Sequence, residues 1–113
     1  MFKNNISIIG GTGHVGLPLG LAFSERKFKV ELIDVNKQNI DKVNKGILPF
    51  IEENGKKLLK QSLKKKNIIA TNNLSSLRSS KFIIICIGTP IKKNLKPEVK
   101  NFLKFFKKLK NHI

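Results

Sequence analysis

Apolar residues along this chain follow two rhythms, short unbroken runs and stripes spaced by three and four, and the two alternate from one end to the other. Residues 6–9 form an apolar run that stops at Gly10-Gly11-Thr12-Gly13, as a buried parallel strand does on entering a tight turn. Beyond it Val15, Leu19, Ala22 and Phe23 recur at helical spacing, with Pro18 in the first turn, where a missing N–H does no harm. The pattern predicts a helix buried along that stripe, with Gly20 allowing it to lie close to a sheet. Phe28, Val30 and Leu32 then alternate with Lys29 and Glu31 ahead of Ile33 and Asp34, which predicts a second strand with a carboxylate at its tip.

Further on, a polar helix over 37–45 is closed by Gly46, and Pro49 makes 47–51 a loop. Glu52 and Glu53 precede a lysine-rich helix running to about residue 65, with Leu58, Leu59, Ser62 and Leu63 inward and the acidic pair suited to the positive end of its dipole. Residues 68–71 read as a third strand, 73–79 as a short helix or turn, and 82–87 as a fourth strand apolar enough to be covered on both faces. Pro97 and Glu98 open a last helix, whose stripe of Phe102, Phe105, Leu109 and Ile113 lies opposite Lys100, Lys104, Lys107 and Lys108. Strands alternating with helices specify an α/β fold: a Rossmann-type parallel sheet with flanking helices, about four strands in the order 3-2-1-4, incomplete, with its crevice between strands one and four.

That topology gives the first turn its chemistry. Gly11-Thr12-Gly13-His14-Val15-Gly16 matches G-x-G-x-x-G directly after a strand and at the start of a helix, and Asp34 stands 18 residues beyond Gly16 at the end of the next strand. In order, the glycines serve the tight turn, close approach of backbone to a pyrophosphate, and close contact between helix and strand. The amides of His14 and Val15 would face the diphosphate, where the helix dipole favours negative charge. Asp34 would accept hydrogen bonds from the adenosine ribose, and a carboxylate there repels a 2′-phosphate, so NAD is expected rather than NADP. His14 has two readings, a side-chain contact to the ligand or a spacer whose backbone alone matters.

Size and composition change the picture less. At 113 residues and 40% apolar content, residues 1–113 are expected to form a single, partial cofactor-binding domain. The longest apolar stretch falls far short of the roughly 18 residues of a membrane span, and nothing at the amino terminus reads as a targeting segment. With one buried, inert thiol, Cys86, the expected setting is cytoplasmic, with no membrane partner. The formal charge of +16 suggests nucleic acid, but the basic set is 21 lysines against Arg26 and Arg78, and nucleic-acid readers rely on arginine. Lys, Asn and Ile, all with A/T-rich codons, supply 48 of the 113 residues, so a solvated lysine surface is expected and no nucleic-acid partner.

The run Gly10-Gly11-Thr12-Gly13-His14-Val15-Gly16-Leu17-Pro18-Leu19-Gly20-Leu21-Ala22-Phe23 resembles the opening of the UDP-glucose/GDP-mannose dehydrogenase family. Asp34-Val35-Asn36, Gly46-Ile47-Leu48-Pro49-Phe50-Ile51-Glu52, Ile68-Ile69-Ala70-Thr71 and Cys86-Ile87-Gly88-Thr89-Pro90 extend the resemblance over about residues 6–99. It implies that Gly13, His14 and Val15 meet the diphosphate of NAD, Asp34 the ribose, and Gly88, Thr89 and Pro90 the cofactor across the crevice. Family members oxidise the primary alcohol of a nucleotide-linked sugar to a carboxylate for polysaccharide biosynthesis, using two NAD and a thioester on a catalytic cysteine. That cysteine belongs to segments beyond residue 113; Cys86 is not given its role, and neither a catalytic residue nor a metal ligand is assigned. Where relatives often carry a basic residue five positions after the aspartate, this chain has Asn39, and Lys37 is the candidate to replace that charge. Ile91-Lys92-Lys93 also departs from a loop that tends to be acidic in relatives.

The leading expectation is therefore the NAD-binding portion of a nucleotide-sugar 6-dehydrogenase, inactive in isolation and meeting its sugar nucleotide only in a longer form. A non-catalytic dinucleotide-binding module and an inactive remnant are the alternatives. If the fourth strand lacks an outer neighbour, its uncharged β-prone run should drive self-association. Sedimentation of the purified chain is expected to show mass rising with concentration; a stable monomer at high concentration counts against an exposed edge.

Overall fold

A computed structural model describes residues 5–86, 104 and 107–111. Four parallel strands, β1 (Asn5–Ile9), β2 (Lys29–Ile33), β3 (Ile68–Thr71) and β4 (Phe82–Ile85), form one sheet in the order β3-β2-β1-β4, the expected Rossmann arrangement. Register aligns Ile8 with Leu32 on one side and with Ile84 on the other, so β1 is central and all of Ile6 to Ile9 is buried.

Alternation sorts side chains between two faces. On one face Ile6, Ile8, Val30, Leu32, Ile68 and Ala70 meet three helices, α1 (Gly16–Glu25), α2 (Lys37–Asn44) and α3 (Gly55–Lys64), through Leu17, Leu21, Ile40, Val43 and Leu59. Each fully buried side chain of this kind contributes about 1.5–3 kcal/mol. On the other face a smaller cluster joins Ile9 and Ile33 to Leu77, in the 3-10 turn Leu74–Ser79, and to Leu109 in the helical segment 107–110. Leu109 thus occupies its expected buried place, with Lys104, Lys107 and Lys108 exposed; Phe102, Phe105 and Ile113 lie outside the described residues.

Two expectations need correction. The buried stripe of α1 is Gly16, Leu17, Gly20, Leu21 and Ser24, whereas Val15 and Ala22 are exposed and Leu19 and Phe23 only partly buried. Leu17 and Leu21 supply the bulk on that face, while Gly16, Gly20 and Ser24 let it come close: a Cβ on Gly20 would lie 2.6 Å from Leu32 Cδ2. The lysine-rich helix begins at Gly55, just after the acidic pair, because Asn54 adopts φ +63° and the Glu52 carbonyl accepts from the Gly55 amide, closing a turn first. β4 is not covered on both faces: Phe82 and Ile85 are exposed, and among the described residues β4 has a strand neighbour only in β1. The strand ends at Ile85, with the Cys86 amide still donating to the Ile9 carbonyl.

All three helices close alike. After α2, Gly46 at φ +81° donates to the Val43 carbonyl and Ile47 to that of Lys42, the paired bonds of a left-handed cap. Lys27 and Lys66 hold the same left-handed position after α1 and α3. At the far edge of the sheet, the Asn44 side-chain amide accepts from the Ala70 N–H and donates to the Ala70 carbonyl, both at 2.9 Å, in place of a further strand. Asn44→Ala is expected to lower stability in urea titration by about 1–2 kcal/mol and to increase association through β3; an unchanged midpoint would show that the amide adds nothing to the edge.

Candidate functional site

The loop after β1 is fastened to the tip of β2. The Gly10 and Gly11 amides both donate to the Ile33 carbonyl, at 2.8 and 3.1 Å. Thr12 then donates twice to Asp34 Oδ2, from its amide at 3.1 Å and from its hydroxyl at 2.7 Å. The other carboxylate oxygen, Oδ1, accepts from the Val35 and Asn36 amides at 2.8 and 3.2 Å, and the Asp34 amide donates to Thr71 at the end of β3. Three neighbouring strand tips meet here, and the acid accepts at each of its roughly four lone-pair sites.

The glycines divide the expected labour differently. Gly10, at φ +78°, makes the tight turn that the sequence pattern assigns to Gly11. A Cβ on Gly11 would lie 2.7 Å from Leu32 Cα, and one on Gly16 only 2.3 Å from the Gly10 carbonyl oxygen, so both are demanded by the chain's own packing. Gly13 differs: its Cβ would meet only the Gly10 oxygen, at 3.4 Å, and its φ is not positive. The fold does not need glycine at that position, and the vacant space is what an approaching diphosphate requires.

Beside that space α1 begins without a side-chain cap. The amides of His14, Val15 and Gly16 have no hydrogen-bond partner among the described residues, which suits an anion at a helix start. The His14 ring stacks on Phe50, from the loop between α2 and α3, at a centroid separation of 4.3 Å and an interplanar angle of 20°. Thr12 and Phe50 are thus parts of this region that pattern reading passed over. Thr12 fills an unspecified position of the motif, and only a hydroxyl between glycines facing an acid on the next strand hinted at it.

Lys37 is exposed at the start of α2, close in sequence to Asp34 but without an ion pair among the described residues. Gly88, Thr89 and Pro90 lie outside the described residues. Cys86 is half-buried just after β4. A cavity of about 270 Å³ opens at the strand tips, bounded by Ile9, Gly10, Ile33, Asp34, Val35, Asn72, Leu74 and Lys108. A polar cavity of about 180 Å³ lies at the opposite ends of the strands, with Lys29, Glu31 and Asn67 in its wall, remote from the glycine turn.

Bare amides over an open cradle, one strand away from an acid, give this Rossmann sheet the form of a dinucleotide-binding domain. Comparison with known proteins narrows the class. Residues 4–113 match the sequence profile described as the UDP-glucose/GDP-mannose dehydrogenase family, NAD binding domain. UDP-glucose 6-dehydrogenase from Rickettsia felis is 33% identical over 110 residues, which is 96% of this chain and 24% of that protein. Among solved structures, a ternary complex of GDP-mannose dehydrogenase from Pseudomonas aeruginosa superposes with TM-score 0.82 at 31% identity, covering 88% of this chain and 23% of that one. UDP-D-ManNAc dehydrogenase from Pyrococcus horikoshii does so with TM-score 0.85 at 25% identity, over 96% and 26%. The chain belongs to the UDP-glucose/GDP-mannose dehydrogenase family and corresponds to its NAD-binding domain. It spans between 12% and 25% of the length of the curated relatives it matches.

The packing separates structural from ligand-facing glycines experimentally. Gly16→Ala is expected to lower stability by about 1–3 kcal/mol in thermal or urea unfolding. Gly13→Ala should leave the unfolding midpoint nearly unchanged while weakening NAD binding; loss of stability there equal to that of Gly16→Ala would mean that the cradle is ordinary core.

Proposed function

We propose that residues 1–113 act as one partial NAD-binding domain of a nucleotide-sugar 6-dehydrogenase of the UDP-glucose, UDP-N-acetylmannosamine or GDP-mannose type. The observation that carries this is the pair of hydrogen bonds from Thr12 to Asp34, which hold the glycine turn and the acid at one place. In this reading Gly11 and Gly16 shape the turn, Gly13 admits the diphosphate, and the amides of His14 and Val15 bind it. Asp34 takes the adenosine ribose, with the Thr12 hydroxyl yielding its place on Oδ2 to a ribose hydroxyl. The adenine ring lies against the apolar wall of the neighbouring cavity, Ile9, Ile33, Val35 and Leu74. Lys37 adds positive charge near the ribose, and the family resemblance alone assigns cofactor contacts to Gly88, Thr89 and Pro90.

Bound NAD supplies the hydride acceptor for oxidation of the sugar C6 alcohol in polysaccharide biosynthesis; these residues bind and orient it. The oxidising residues and the sugar-nucleotide pocket are assigned to sequence outside residues 1–113, with Cys86 left out of catalysis. A cytoplasmic setting suits the lone thiol and the cofactor. Among the described residues no helix is long and apolar enough to cross a membrane.

Calorimetric titration with NAD and NADP tests the assignment. NAD is expected to bind more tightly, since a 2′-phosphate would face the Asp34 carboxylate; NADP binding at least as well would remove Asp34 from the ribose. Asp34→Asn is expected to weaken NAD by about 10- to 100-fold, the worth of a hydrogen bond to a charged group. It should also loosen the turn, because either orientation of the amide sets an NH₂ against N–H donors.

A further inference from the structure

We infer that Phe50 is a positioning residue for the cofactor: by stacking on His14 it presents the edge of the imidazole to the diphosphate. The inference deepens, and rests on, the reading of the Gly11–Gly16 turn as the diphosphate site.

His14 is exposed, and the contact that fixes its ring comes from an element 36 residues away in sequence. That partner is itself anchored. Phe50 is half-buried and packs with Leu48 against the main core, between the left-handed cap at Gly46 and the start of α3 at Gly55. Gly55 in turn lies tight against the side chains of Glu52 and Leu48, which ties the loop's far end down. A side chain on a turn otherwise samples several rotamers, and ordering it on binding weakens affinity. Stacking uses only the face of an imidazole. The ring nitrogens lie in its plane at the edge and have no partner among the described residues. The result is a pre-oriented donor on the residue adjoining the vacant Gly13 space, next to unpaired backbone amides. Pro49-Phe50 thereby acquires a role in cofactor binding although the loop belongs to neither β1 nor α1.

Titration of the 113-residue chain with ADP-ribose and with adenosine separates the possibilities. His14→Ala and Phe50→Ala should each weaken ADP-ribose by about 3- to 10-fold, and the double variant should lose no more than either alone. Phe50→Tyr, which keeps a stacking face, should bind as the parent does, and adenosine affinity should be unaffected throughout. Without ligand, the His14 ring-proton resonances should move when Phe50 becomes Ala, as the ring current is lost. Unchanged ADP-ribose affinity in Phe50→Ala, additive losses in the double variant, unmoved His14 resonances, or a parallel loss of adenosine would each overturn the inference. Failure of the parent chain to bind ADP-ribose would instead overturn the cofactor reading, and this inference with it.

Discussion

The hydrogen bonds between Thr12 and Asp34 govern the architecture of the site, because they tie the loop leaving β1 to the tip of β2. A carboxylate is the side chain suited to the task. It faces donors on both oxygens, the Thr12 amide and hydroxyl on one side and the Val35 and Asn36 amides on the other. The same negative oxygens that satisfy these groups are what a ribose needs. On the proposed function, affinity would be set by exchange rather than by addition: a ribose hydroxyl would replace the Thr12 hydroxyl on Oδ2, and the acid's bonds to backbone amides would persist. Preorganisation comes from those amides, which keep the carboxylate from turning away.

Around that clamp the glycines show how a shared motif divides between folding and binding. A Cβ added at Gly11, Gly16 or Gly20 would lie under 3 Å from Leu32 or the preceding turn, so a side chain there would force the neighbouring elements apart. Gly13 carries no such constraint. The distinction has an energetic meaning: a methyl group at the first three strains the free protein, whereas one at Gly13 acts only when a ligand arrives. Close approach of α1 is also what brings its unpaired amides near the strand tips, so the folding role of Gly16 and Gly20 would support the binding role proposed for Gly13.

Much of this was legible in the sequence because parallel strands and glycine turns leave local marks. Apolar runs located all four strands, and the crossover rules ordered them without recourse to side chains. Gly46 announced its left-handed cap, while Lys27 and Lys66 hold the same conformation without any residue-type signal. The buried face of α1 was misjudged because periodicity weights large apolar residues alone, whereas here Gly16, Gly20 and Ser24 share the face with Leu17 and Leu21. Asn44 on the edge of β3 and Phe50 on His14 are contacts across 26 and 36 positions that no local pattern encodes. Asp34 was placed correctly at the strand tip, yet its saturation by backbone donors depends on a loop conformation that spacing alone does not specify.

Net charge and the acid act on the ligand over different distances, which keeps selectivity separate from attraction. Exposed lysines such as Lys56, Lys57, Lys60 and Lys64 give α3 a positive face, and the whole chain carries +16. Such a field speeds the encounter with any anion, whether NAD, NADP or a nucleic acid, and fades beyond about 8 Å at physiological salt. It favours the more highly charged NADP over NAD, so it cannot be the source of an NAD preference. On the proposed function, discrimination comes from contact, where a 2′-phosphate would sit against a carboxylate that its backbone donors hold in place. Raising the salt concentration should weaken NADP, which carries the additional phosphate, more than NAD through the field, so an NAD preference set at hydrogen-bond distance from Asp34 should widen as the field is screened.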